Sequence, residues 1–170
     1  ENCNSVRTLV IGNGLTSFDY LPITSALESI TIGDSITEIG AEKFKDFTAL
    51  TSVTIGDSVT SIGSSAFEGC SSLTSVVIPD SVTSIGQYAF HNCYRLATVT
   101  IGKNVTKIEY GALEGCHLTS IYLMGGNPPS VGSRNFDDVD YTNITIYVPQ
   151  GTLAVYQAAD VWGDFWDIQE

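Results

Sequence analysis

The sequence predicts a repeat solenoid, mainly β, and three observations carry that prediction. A unit of 23 residues recurs: LTSVTIGDSVTSIGSSAFEGCSS from Leu50 and LTSVVIPDSVTSIGQYAFHNCYR from Leu73 are near-identical, and the same frame starts at Leu27 and Leu96, with weaker copies from Val6 and Leu118. Each copy contains a short period-two alternation of β-branched residues, the pattern of a half-buried strand. A unit of that size cannot bury its apolar ladder alone, whereas stacked units bury it against one another. The expected product is a right-handed stack of six or seven coils, spaced about 4.8 Å apart and roughly 30 Å long. A parallel sheet should line one side, with irregular or short helical structure on the convex side opposite.

The elements follow in chain order. Residues 1–5 match the tail of a repeat, Glu1 aligning with Glu68 and Cys3 with Cys70. They read as a partial coil of a trimmed or processed chain, with more repeats or another domain upstream. Residues 6–150 read as the solenoid, about six coils plus a final strand over 143–149. Within a coil, Leu50, Val53 and Ile55 open the strand and Gly56 stops it, as Leu73, Val76, Ile78 and Pro79 do one copy later. A second apolar pair follows, Val59 with Ile62 and Val82 with Ile85. Ala66 with Phe67, and Ala89 with Phe90, then supply a bulky wedge in a loop or single helical turn. Residues 151–170 break the frame: GTLAVYQAAD is helix-compatible, and Trp162, Phe165 and Trp166 follow. A solenoid needs a device that shields its last coil from water. A short helix with these three aromatics is the predicted cap.

Composition narrows the function classes. Seven Lys and Arg stand against nineteen Asp and Glu, a formal net charge of −12, so there is no basic cluster with which to hold nucleic acid. Only 15% of residues are charged, because Ser, Thr and Gly occupy the outward strand and turn positions. No apolar run reaches the roughly 18 residues needed to span a bilayer, so no membrane insertion is expected of this stretch. The N-terminus lacks the basic start and apolar stretch of an export signal.

The repeat LTSVxIPDSVTSIGxxAFxGCxx resembles the BspA-type leucine-rich repeat, and the likeness runs from Val6 to about residue 140. The tail YVPQGTLAVYQAADVWGDFW is similar to the cap that follows such repeats in bacterial members. Two coils depart from the family pattern. The coil at 6–26 is two residues short, and the one at 118–142 is longer and carries Pro128 and Pro129. The resemblance implies a leucine-rich-repeat coil stack in a surface or secreted protein, extracellular, non-enzymatic, and used for adhesion to host matrix or to other cells. It implies no particular ligand.

Cys70, Cys93 and Cys116 occupy equivalent sites of successive coils, where Ala26 and Phe47 stand in earlier ones, so inward free thiols are expected. His91 and His117 lie beside two of these cysteines but at different repeat positions, which argues against the tetrahedral convergence that zinc needs. Asp34, Asp57 and Asp80, with Asn13 and Lys103 at the matching sites, follow the strand turn. An Asx-turn to each residue's own backbone is the expected use of that column, ahead of calcium. No G-x-S-x-G, P-loop, dinucleotide or H-E-x-x-H pattern occurs, and no cofactor is expected. The sequons at Asn104 and Asn143 matter only in a eukaryotic source.

The outward strand positions remain: Ser29 and Thr31, Ser52 and Thr54, Ser75 and Val77, Thr98 and Thr100, Ser120 and Tyr122. They should form a flat, hydroxyl-rich face with almost no charge, a surface suited to an extended protein partner held by something other than charge. Thr31, Thr54, Thr100 and Tyr122 are the candidate ligand-binding residues, with Tyr122 the best anchor by type. The alternative is a structural spacer, in which these residues are chosen for β-propensity and an upstream domain does the recognising.

Overall fold

The computed structural model describes residues 6–15, 25–137 and 140–170. The predicted partial coil at 1–5, Cys3 included, and the middle of the short coil at 6–26 lie outside them.

Strands alternate long and short along the chain, in the order β1 (Thr8–Ile11), β2 (Ser29–Ile32), β3 (Glu38–Ile39), β4 (Ser52–Thr54), β5 (Ser61–Ile62), β6 (Ser75–Ile78), β7 (Ser84–Ile85), β8 (Thr98–Ile101), β9 (Lys107–Ile108), β10 (Ser120–Leu123), β11 (Ser130–Val131), β12 (Thr145–Tyr147) and β13 (Asp167–Gln169). All pairing is parallel and joins one coil to the next, as in β1 with β2 and β6 with β8. The molecule is a parallel-sheet solenoid of about seven turns with very little helix.

Two columns of strands result, where one was expected. The longer strands form the first column and the two-residue strands β3, β5, β7, β9 and β11 form the second. The second column is built by the apolar pair after the strand turn. Ile39, Ile62, Ile85 and Ile108 point inward there and are fully buried or nearly so. Thr60 donates both its N–H and its hydroxyl to Thr37 O, and Thr83 and Thr106 repeat this one coil on.

The convex side is a ladder of turns, with no helix. Each full coil places two residues in left-handed backbone conformation: Glu42, Ser65, Tyr88 and Gly111 at one position, and Asp46, Gly69, Asn92 and Gly115 four residues later. A right-handed helix cannot run through such residues. The backbone is satisfied between coils instead, Phe44 N donating to Ala66 O, Phe67 N to Ala89 O and Phe90 N to Ala112 O. The wedge aromatics stack directly, with Phe67 5.2 Å from both Phe44 and Phe90. Beside them Cys70, Cys93 and Cys116 are free and buried, each thiol 3.2 Å from the carbonyl of the wedge phenylalanine one coil back.

At the far end the ladder stops on a side chain. Asn135 takes the place of the Ala column. Its Oδ1 accepts from Leu113 N at 2.9 Å, and its Nδ2 donates to Glu109 O and Gly132 O. The amide thereby replaces the backbone carbonyl that a further coil would have offered. The tail then folds across the end. Helix α1 (Leu153–Gln157) buries Tyr156, whose hydroxyl donates to Gly125 O, and the buried Trp162 donates its indole N–H to Pro129 O. Phe165 packs edge-on against Phe136 and Tyr141. Trp166 departs from expectation: it is 83% exposed, because the chain has already turned into β13, which adds a last parallel strand to β12.

Candidate functional site

The outward residues of the first column form rows fixed by strand register. One row runs Val10, Thr31, Thr54, then Val77, Thr100, Tyr122, Tyr147 and Gln169. All four residues singled out in the sequence, Thr31, Thr54, Thr100 and Tyr122, fall in this row. Thr54 and Tyr122 are exposed, Thr31 and Thr100 half-buried. The sequence reading passed over Tyr147, whose ring stacks on Tyr122 at 4.5 Å and 7°. Its signal was present, since Tyr147 sits two residues before Pro149 in the last recognisable copy. The parallel row carries Ser29, Ser52, Ser75, Thr98, Ser120 and Thr145, and only Asp167 at its end is charged.

The column is interrupted once. β1, β2 and β4 form one sheet, and β6, β8, β10, β12 and β13 another, with no ladder between β4 and β6. The neighbouring rungs show what is missing. Thr51 N donates to Glu28 O and Ala97 N to Thr74 O, but among the described residues Thr74 makes no such bond to Thr51.

The cause is Pro79. A Cβ on Gly33 would sit 2.4 Å from Ile11 O, one on Gly56 2.7 Å from Ile32 O, and one on Gly102 2.4 Å from Pro79 O. At these three junctions the coils touch so closely that a Cβ would meet the preceding coil's backbone. Pro79 brings a ring to this position and has no N–H to donate. At this level the fourth coil stands off from the third. Met124 occupies the same position in the sixth coil without interruption, keeping its N–H on Ile101 O at 3.0 Å ahead of a longer loop.

Where the strands part, a cleft of about 420 Å3 opens on the sheet face. Val53, Ile55, Val77 and Met124 line it, with Thr54 and Thr100 at its sides and Asp57 and Asp80 at its rim. Val77 and Met124 are 61% and 54% exposed. Both replace the residue that the repeat ordinarily holds, Thr and Gly respectively, which is the only trace of them in the sequence.

The turn column corrects the Asx-turn expectation. Asn13 Oδ1 accepts from Asp34 N at 2.8 Å, Asp34 Oδ1 from Asp57 N at 3.0 Å, and Asp80 Oδ1 from Lys103 N at 3.0 Å. These side chains cap the next coil, not their own. The expected rung from Asp80 N to Asp57 is absent among the described residues, at the same level as the parted strands. Lys103 Nζ also lies 2.9 Å from Asp80 Oδ2, and its ammonium and backbone N–H together hold the Asp80 carboxyl below the usual carboxylate range.

The remaining candidates do not assemble into a site. Burial pushes the Cys70 and Cys116 thiols up to about 12 and Cys93 higher still, which leaves no thiolate for nucleophilic chemistry. His91 faces Glu68 at 3.8 Å and the ring of Tyr88, while His117 faces Tyr94. Among the described residues no three His, Cys, Asp or Glu side chains converge as metal ligands, and no helix is long and apolar enough to cross a membrane.

Comparison with known proteins agrees with this architecture. The leucine-rich repeat protein of Treponema pallidum is 23% identical, with a TM-score of 0.59 over 92% of this chain and 79% of its own. The pneumococcal vaccine antigen PcpA is 21% identical, with a TM-score of 0.66 over 90% of this chain and 43% of its own. A leucine-rich cell surface protein of Faecalibacterium prausnitzii is 28% identical, with a TM-score of 0.51 over 84% of this chain and 48% of its own. This chain thus spans less than half of the latter two. No curated protein sequence matches it. Six copies of the BspA type Leucine rich repeat region match over residues 18–143, and the chain belongs to that family.

Proposed function

We propose that the chain is a non-catalytic binding module of a bacterial surface protein, which holds an extended segment of a host-matrix or other extracellular protein across its sheet face. The observation that carries this reading is the outward row from Val10 to Gln169. It is one side chain wide, free of charge along its length, and furnished with the paired tyrosines Tyr122 and Tyr147. Flat repeat faces suit extended partners, and tyrosine supplies contact area at low entropic cost. Membership of the BspA-type family and the likeness to a cell surface protein of Faecalibacterium prausnitzii support a place outside the cell.

A spacer role is favoured by a different observation. The second strand column and the convex ladder are stitched coil to coil, as a rigid rod requires. Replacing Thr54, Thr100 and Tyr122 together by alanine separates the two. A binding face predicts that retention on immobilised matrix proteins falls about tenfold or more with the circular dichroism unchanged. Unchanged retention would leave the spacer.

A further inference from the structure

The cleft between β4 and β6 combines an apolar floor with an unanswered charge. Val77 and Met124 expose their side chains over it, beside Val53 and Ile55. Asp34 and Asp80 each spend an oxygen on the next coil's N–H, and Asp80 also meets Lys103. The Asp57 carboxylate accepts no hydrogen bond and meets no cation among the described residues, because the strand that should have supplied its donor stands away. Asp57 and Asp80 against the single Lys103 leave the rim negative, on a chain of net charge −12.

We propose that this cleft receives a lysine or arginine side chain from an extended segment of a partner protein. The proposal rests on the sheet-face reading above and names the chemistry of its central subsite. A long basic side chain is apolar along its stem and charged at its tip. Laid along the row of Thr54, Val77 and Thr100, the segment places that stem on Val77 and its charged tip at Asp57, with Met124 closing the far end of the cleft. A carboxylate tip would meet repulsion from Asp57 and Asp80. A purely apolar side chain would fill the floor and leave Asp57 unanswered. The Pro79 stand-off is therefore what distinguishes this level from the flush coils on either side.

Two blocked pentapeptides test the proposal, acetyl-Thr-Val-Lys-Val-Thr-amide and its glutamine analogue, titrated into the 15N-labelled chain at low ionic strength. The expected result is amide shifts at Asp57, Val77 and Asp80, with the lysine peptide bound about threefold to fivefold more tightly than the glutamine one. Asp57→Asn, at an exposed position, should remove that preference. Pro79→Gly should abolish the shifts by closing the cleft. Absence of shifts at those amides, equal affinity for the two peptides, or a lysine preference that survives Asp57→Asn overturns the proposal. The sheet-face reading fails separately. Cleft shifts with matrix retention untouched by the triple alanine variant would overturn matrix binding alone, and retention lost in the triple variant but indifferent to Asp57→Asn would overturn the basic subsite alone.

Discussion

The two strand columns pass through the same coils and meet the third-to-fourth junction differently. The second column crosses it with β5 paired to β7, Ser61 opposite Ser84 and Ile62 opposite Ile85. The first column parts there, between β4 and β6. The difference lies in one residue of each turn. Gly63 and Gly86 keep the second column close, and Gly86 N donates to Ile62 O at 2.9 Å. In the first column Pro79 stands where Gly33, Gly56 and Gly102 stand in other coils. In a solenoid each coil touches only its neighbours, so a misfit at one junction is not relayed along the stack. Here it is not relayed even around one coil, because the second column and the phenylalanine stack hold the junction independently.

The largest expected effect comes from transplanting the misfit. Gly63→Pro would remove the N–H now on Ile39 O and set a ring where a Cβ already falls 2.7 Å from Ala41 N. Loss of a ladder bond together with a backbone clash should cost about 3 kcal/mol or more. Urea denaturation measures this, and a cost below 1 kcal/mol would mean the second column tolerates a stand-off as the first does.

Asn135→Ala should cost less, about 2 kcal/mol. It strips three backbone partners at the end of the convex ladder and leaves Leu113 N–H buried without an acceptor. The loss should appear as faster amide exchange at Leu113, with the early coils unaffected. Uniform acceleration along the chain would show that the end coil and the rest melt as one unit.

Pro79→Gly should change global stability least, by roughly 0.5 kcal/mol or less. A recovered rung offsets the extra freedom that glycine gives the unfolded chain. Locally the effect should be clear, because the Asp80 amide gains Asp57 as acceptor and becomes protected from exchange. Continued fast exchange at Asp80 would show that the ladder is broken for a reason other than Pro79.

The repeat made most of the fold readable. Its spacing located every full-length coil, and the alternation in LTSVTI and its copies correctly assigned Val76, Ile78, Val99 and Ile101 to the core and Ser75, Val77, Thr98 and Thr100 to the face. The second column escaped because two residues per coil are too few to display a period. The aspartate partners escaped for another reason. An Asp after a turn can reach its own backbone two residues on or the next coil's N–H 23 residues on, and local sequence favours the first. In the folded stack the second donor lies at hydrogen-bonding distance in nearly every coil.

By itself the sequence determined the coil, its length, which residues face inward and the chemistry of the outward row, because each follows from a period that side chains alone must satisfy. Tertiary structure decided how closely neighbouring coils approach. That closeness turns one proline among glycines into a cleft, leaves one aspartate of a column without its donor, and seats a side-chain amide where the ladder of carbonyls ends. Each depends on contacts between residues about 23 positions apart, at ångström tolerances that no pattern along the chain records.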